Sequence, residues 1–122
     1  MVFLLNNDGG VFQYTGTPFA WQQVDSNPAT ITIFPPGYLL HNDGGVFQYT
    51  GTPFEWQQLD NNPANAAIAA GTIGGLEPIN TLYLLRNDGS GVFQYTGTPF
   101  AWQQLDGNPA TVAIAAGLGG EF

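Results

Sequence analysis

The chain has 122 residues, of which 43% are hydrophobic, 14% aromatic and only 8% charged, against about 25% charged in an average soluble domain. One Lys or Arg against nine Asp and Glu gives a net charge of −8, which excludes nucleic-acid binding by phosphate neutralisation and sets the chain against an anionic membrane surface. There is no cysteine, so disulfides and thiolate metal sites are excluded, and no apolar run approaches the roughly 20 residues of a membrane-spanning helix.

Three near-copies of one unit make up the chain, treated as a single repeat domain over residues 1–122 with units at about 1–28, 29–63 and 64–109 and a closing segment at 110–122. The string Val-Phe-Gln-Tyr-Thr-Gly-Thr-Pro-Phe runs from Val11 to Phe19, Val46 to Phe54 and Val92 to Phe100. An Asn-Asp-Gly precedes each copy at Asn7, Asn42 and Asn87, and a Trp-Gln-Gln follows at Trp21, Trp56 and Trp102. An Asp (Asp25, Asp60, Asp106) and an Asn-Pro (Asn27, Asn62, Asn108) close each unit. The Asn-Asp-Gly spacing is 35 residues and then 45. A compact connection from Ile33 to Tyr38 explains the short step, and an insertion from Gly71 to Thr81 the long one.

In chain order, the first unit opens on the apolar stretch at Phe3-Leu4-Leu5. The Asn-Asp-Gly turn follows, where all three residues tolerate a left-handed backbone. Next come the alternating strand at Val11 and the strand at Trp21. The second unit begins with Thr30-Ile31-Thr32-Ile33, plainly β by propensity, and then repeats the pattern. The third begins with Ala66 to Gly71, continues with Thr81 to Arg86, Val92 to Thr96 and Trp102 to Asp106, and is followed by Thr111 to Ala116, ended by Gly117. The Ala-rich segments are weak strand formers, and a short helix is the alternative. Gly closes each within two turns, and the first copy is β, so strands are expected.

Four short strands per roughly 40 residues, joined by tight turns, match the period of a β-propeller blade. Small side chains suit the crowded axis, so the Ala-rich strand is expected innermost. Blades from Ala29 to Asp60 and Ala64 to Asp106 are then complete, while the remaining blade takes three strands from residues 1–28 and its innermost strand from 110–122. Propellers carry about 4–8 blades. The expected fold is therefore an all-β propeller of four-stranded antiparallel blades, about three per chain, completed by homo-oligomerisation through a shared blade, six blades from two chains. A filament results if the rotation does not close.

Trp-Gln-Gln-(Leu/Val)-Asp, an Ala/Ile strand ending in Gly, then Leu-Leu-X-Asn-Asp-Gly and Val-Phe-Gln-Tyr-Thr-Gly resemble a tectonin or tachylectin-type propeller repeat. The resemblance covers the chain except the insertion around Thr72 to Asn80. It implies a lectin with a sugar site per blade or blade junction. The chain departs from the pattern in spanning half a propeller and in lacking basic residues.

Catalysis is not expected. His41 is the only histidine, and its counterparts in the other units are Asn6 and Arg86. Ser26 and Ser90, the only serines, lie in turn sequences, so no nucleophile–base pair is legible. A glycosidase-type carboxylate pair is invisible to sequence spacing. Asp8, Asp43 and Asp88 read as turn residues, with calcium as the minor alternative, and Asp25, Asp60 and Asp106 read as turn caps. No metal or cofactor is expected. Sugar binding calls for aromatic faces and neutral planar hydrogen-bonding groups. Tyr14, Trp21, Gln22 and Asn27 supply these in the first unit, Tyr49, Trp56, Gln57 and Asn62 in the second, and Tyr95, Trp102, Gln103 and Asn108 in the third. Inter-blade packing is the competing role for each Trp, and Phe12, Phe47 and Phe93 read as core. One Gln of each Gln-Gln pair is expected to face a site and the other to pack. The expected function is a multivalent carbohydrate-binding propeller that gains avidity from repeated weak sites on glycans. The alternative is a self-assembling ring or filament subunit without a small-molecule ligand. An engineered symmetric repeat fits less well, given the unequal spacings and the singular Phe34-Pro35-Pro36-Gly37. No signal-peptide pattern is visible at Met1 to Leu5, and a secreted or cell-surface setting is only slightly favoured.

Overall fold

The computed structural model describes residues 2–73, 79–116 and 118–119, and every regular element among them is a strand. Three open sheets follow one another along the chain. The first contains β1 (Phe3–Leu5), β2 (Val11–Tyr14) and β3 (Trp21–Asp25), in that order. The second contains β4 (Thr30–Phe34), β5 (Tyr38–His41), β6 (Val46–Tyr49) and β7 (Trp56–Asp60). The third contains β8 (Asn65–Ile73), β9 (Ile79–Arg86), β10 (Gly91–Tyr95) and β11 (Trp102–Asp106), with the two-residue β12 (Leu118–Gly119) lying parallel to β8. All other pairings are antiparallel neighbours in sequence. The two four-strand groups coincide with the segments from Ala29 to Asp60 and from Ala64 to Asp106 expected from the repeat. The sheets do not close into a ring.

The turn chemistry works as the sequence implies. Asp8, Asp43 and Asp88 each accept a backbone N–H two residues on, from Gly10, Gly45 and Ser90, at 2.9 Å. Gly44 has φ +92°, and a β-carbon there would overlap the Asn62 carbonyl. Glycine is therefore required twice over, by the left-handed backbone and by the close approach of the next turn. In the third unit the extra Ser90 moves this tight approach to Gly91, which meets the Asp106 carbonyl.

Each β-hairpin from the Val-Phe-Gln-Tyr strand to the Trp strand carries a bulge at the same place. Val11 pairs with Asp25 but Phe12 with Gln23, so Val24 stands outside the ladder. Leu59 and Leu105 occupy the same position in the second and third sheets. A bulged residue has its carbonyl freed from the ladder, and the next sheet uses it. The Phe54 N–H and the Trp56 indole N–H both donate to the Val24 carbonyl, at 2.8 and 3.0 Å. Phe100 and Trp102 do the same to Leu59, at 2.8 and 3.2 Å.

Sheets therefore stack on one another through a repeated junction. The second sheet is covered on both faces, and all four residues of β5 are buried, as a strand sandwiched between layers should be. Leu40, Val46 and Leu59 face Ile68, Leu82 and Leu84 of the third sheet in one apolar cluster. Val11 and Val24 are fully buried at the other junction. β4 runs beside both β1 and β8, so the opening strands of the second and third sheets lie together.

Two sequence expectations are modified. The insertion from Gly71 to Thr81 is no separate loop: it lengthens the β8–β9 hairpin, with Gly71 opposite Thr81, Thr72 opposite Asn80 and Ile73 opposite Ile79, while residues 74–78 of the insertion lie outside the described residues. The expected strand from Thr111 to Ala116 is not in any ladder. Both edges of β9 are already taken, by β8 and β10, and the open edge of this type belongs to β1 in the first sheet. Gly117, and residues 120–122 of the expected closing segment, lie outside the described residues.

Candidate functional site

The predicted site residues separate into three groups. Each Tyr stands directly across the ladder from its Trp, with ring centroids 5.1 Å apart for Tyr14–Trp21, 5.0 Å for Tyr49–Trp56 and 5.1 Å for Tyr95–Trp102. Trp56 and Trp102 spend their indole N–H on the preceding sheet, so they act in packing rather than as free platforms. Trp21 has no preceding sheet among the described residues and is 37% exposed. Asn27, Asn62 and Asn108 are turn caps: each side-chain oxygen accepts the N–H of Ala29, Ala64 or Ala110 at 2.9 Å. These three Asn, not the Asp residues before them, cap the Asn-Pro turns.

The Gln pairs divide as their alternation requires. Gln23 and Gln58 each bond the backbone carbonyl two residues on, at 3.4 Å, and Gln104 bonds that of Ser90 at 2.6 Å. The bonds of Gln23 and Gln58 span the bulge residues Val24 and Leu59, whereas that of Gln104 ties its strand to the turn before Val92. Gln22, Gln57 and Gln103 are exposed. Gln57 reaches a cavity of about 460 Å³ between the second and third sheets, shared with Tyr38, Gln48, Thr81, Gln94, Tyr95 and Thr96. Of the predicted residues, only Gln57 and Tyr95 line it. Gln48 and Gln94 were missed, although they sit in the most invariant string of the repeat. Their signal was the alternation that sets each opposite the face of its neighbouring Phe and Tyr.

No charged side chain lines this cavity. Burial raises the phenol of Tyr38, with the neighbouring Tyr95 adding to the shift, and burial also raises that of Tyr95. Both hydroxyls stay protonated near neutrality and can donate as well as accept. The lining is thus three primary amides, two phenols and two threonines around the apolar Leu82 and Pro99, a set suited to a neutral, hydroxyl-rich ligand.

Two other places differ in chemistry. Arg86 donates to Asp60 at 3.1 Å and to Asn65 at 3.1 Å, lies 4.3 Å over the Phe93 ring, and Asn65 in turn donates to Asp60 at 2.7 Å and to the Gly44 carbonyl at 2.9 Å. This network is satisfied internally and locks the second sheet to the third. At the corresponding place between the first and second sheets, His41 stacks on Phe47 at 4.5 Å beside a smaller cavity of about 220 Å³ that includes Asp25, Asn27 and Trp56. Burial lowers the His41 pKa, with Asp43 and Asp25 acting in the opposite direction. Among the described residues, no three His, Cys, Asp or Glu side chains converge as a metal site would need.

No family model, no curated protein and no solved structure matches the chain.

Proposed function

We propose that the chain is a carbohydrate-binding β-propeller module, with a sugar site at the junction between adjacent blades. The charge-free cavity between the second and third sheets carries this reading: Gln48, Gln57 and Gln94 offer amide donors and acceptors, and Tyr38 and Tyr95 offer phenols at its wall. Sugar hydroxyls need such paired donors and acceptors, and a volume of about 460 Å³ falls in the range of small-molecule sites, about 300–1,000 Å³. The propeller reading rests on the two successive four-strand antiparallel groups, β4 to β7 and β8 to β11, stacked with the three-stranded first sheet so that β4 lies beside β8 and β1.

The site moves relative to the sequence expectation. The recognition role passes from Trp and Asn, which hold junctions and turns, to Gln and Tyr. The corresponding residues at the first junction are Gln13, Gln22, Gln48 and Tyr49. There Phe3 replaces Tyr38 and stands edge-on to Tyr49 at 6.5 Å, so that junction lacks one hydroxyl and is the weaker site. Binding to a broad glycan array tests the proposal. Wild-type signal that falls at least about tenfold in Gln94→Ala supports it, and silence of the folded protein across the array overturns it. The second reading, a subunit whose function is its own assembly, is favoured by the exposed apolar faces of the first and third sheets.

A further inference from the structure

We infer that the outer face of the first sheet docks on the outer face of the third sheet of a second copy of this chain, using the contacts that already join its own sheets. The junction is seen twice within the chain. Each time, a backbone N–H of Phe and an indole N–H of Trp converge on one bulge carbonyl, and the residue bearing that carbonyl is fully buried: Val24 and Leu59 are both 0% exposed. The third bulge residue, Leu105, is 49% exposed. The matching donors, Phe19 and Trp21, lie on the first sheet with no acceptor of this kind among the described residues, and the Phe19 side chain is fully exposed.

Backbone conformation supports the same conclusion. Phe19, Phe54 and Phe100 all have φ 65°, a left-handed value that is costly for a bulky residue. At Phe54 and Phe100 that conformation aims the N–H at a neighbouring sheet. At Phe19 the same strained conformation is kept with no such sheet beside it, so the donor face is formed in advance. The acceptor face is formed too, with the same bulge between Val92 and Phe93 as in the other sheets. Because one face is donor and the other acceptor, the contact is head to tail rather than self-complementary, and the occupant it fits is another copy of the repeat.

The strand edges agree in register. In the second sheet Thr32, Ile33 and Phe34 pair with Leu40, Leu39 and Tyr38. In the third, Ala67, Ile68 and Ala69 pair with Leu85, Leu84 and Tyr83. By the repeat, Ala113, Ile114 and Ala115 correspond to these outer partners, and Leu5, Leu4 and Phe3 to the inner ones. β1 carries a single neighbour, β2, so its other edge is open for them. The docked copy thus brings both a covering sheet and the missing fourth strand, and the exposed edge is removed.

The test is sedimentation velocity on the full chain at micromolar concentration, with Trp21→Ala and Leu105→Arg as variants and far-UV circular dichroism as the check on folding. The wild type should sediment at twice the 13.0 kDa chain mass or a higher multiple. Each variant alone should associate more weakly by roughly tenfold or more, as for loss of a central interface anchor. An equimolar mixture of the two should regain association, because a head-to-tail pair then contains one junction with neither substitution. A wild type that stays monomeric, or a mixture no better than either variant alone, overturns the inference.

Discussion

Leu59→Ala is the sharpest test of the junction as the source of stability. Leu59 is fully buried against Leu82, Leu84 and Ile68 in the cluster between the second and third sheets. Removing its outer carbons leaves a cavity between two layers that are also held by the Leu59 carbonyl, so collapse is restricted. The expected loss is about 3 kcal/mol, within the usual range for a buried Leu→Ala change. For a chain of this length that corresponds to a fall in melting temperature of about 10–15 °C. Leu105→Ala makes the same chemical change at the same repeat position, but Leu105 is 49% exposed. Its loss should be about 1 kcal/mol in dilute solution and should grow with protein concentration if a second copy covers it. Urea unfolding followed by Trp fluorescence, at two concentrations tenfold apart, measures both. Equal losses for the two variants in dilute solution would refute the argument that burial at the junction, rather than the repeat position itself, sets the cost.

The other expectations are smaller or more local. Trp56→Phe removes an N–H donor, yet the Phe54 N–H still satisfies the Val24 carbonyl, so the loss should be about 1 kcal/mol; a loss above about 3 kcal/mol in urea unfolding would mean the indole has a role beyond that bond. Arg86→Met strips the cation from a buried Asp60 that keeps the Asn65 donor, and should cost about 3 kcal/mol, at the low end for breaking a buried pair; a change below about 0.5 kcal/mol in the same assay would contradict it. His41 has a pKa below its ordinary value of 6.5 through burial, so below that pH the unfolded chain binds more protons than the folded one. Its contribution is present in full above pH 6.5 and is lost as pH falls from there through the lowered folded value. His41→Asn, which installs the residue found at the equivalent Asn6, should flatten thermal stability across that window, and an unchanged pH slope would count against the burial argument.

The repeat, its phase and the strand positions were legible because tight turns need particular residues. Asn-Asp-Gly and Asn-Pro punctuate the chain so sharply that the strands of the second and third sheets fall where the units place them. The bulge was not legible. Val24, Leu59 and Leu105 read as ordinary strand residues, and nothing in the alternation marks a carbonyl turned out of its ladder. Without the bulge, the Trp residues look like free aromatic platforms; with it, two of them are committed to the preceding sheet. The cavity was half legible. Gln57 and Tyr95 could be named from composition, but Gln48 and Gln94 become cavity residues only when two copies are stacked, and stacking is absent from any single unit. The Ala-rich segment shows tertiary context overriding propensity: Ala66 to Ala70 is extended because β9 pairs with it along its length.

Near-identical units raise a sorting problem during folding, since a strand from one unit can find its place in another. One pair of facing repeat positions carries a different combination in each unit: Asn6, His41 and Arg86 at the first, and Thr111, Thr30 and Asn65 at the second. Among the described residues, only the Arg86–Asn65–Asp60 combination makes a complete polar network. It serves as an address label, accepting the third unit's β9 beside the second unit's Asp60 and leaving a buried carboxylate uncompensated if another unit takes that place. A chain with a single basic residue thus spends it where it tells one copy of the repeat from the next.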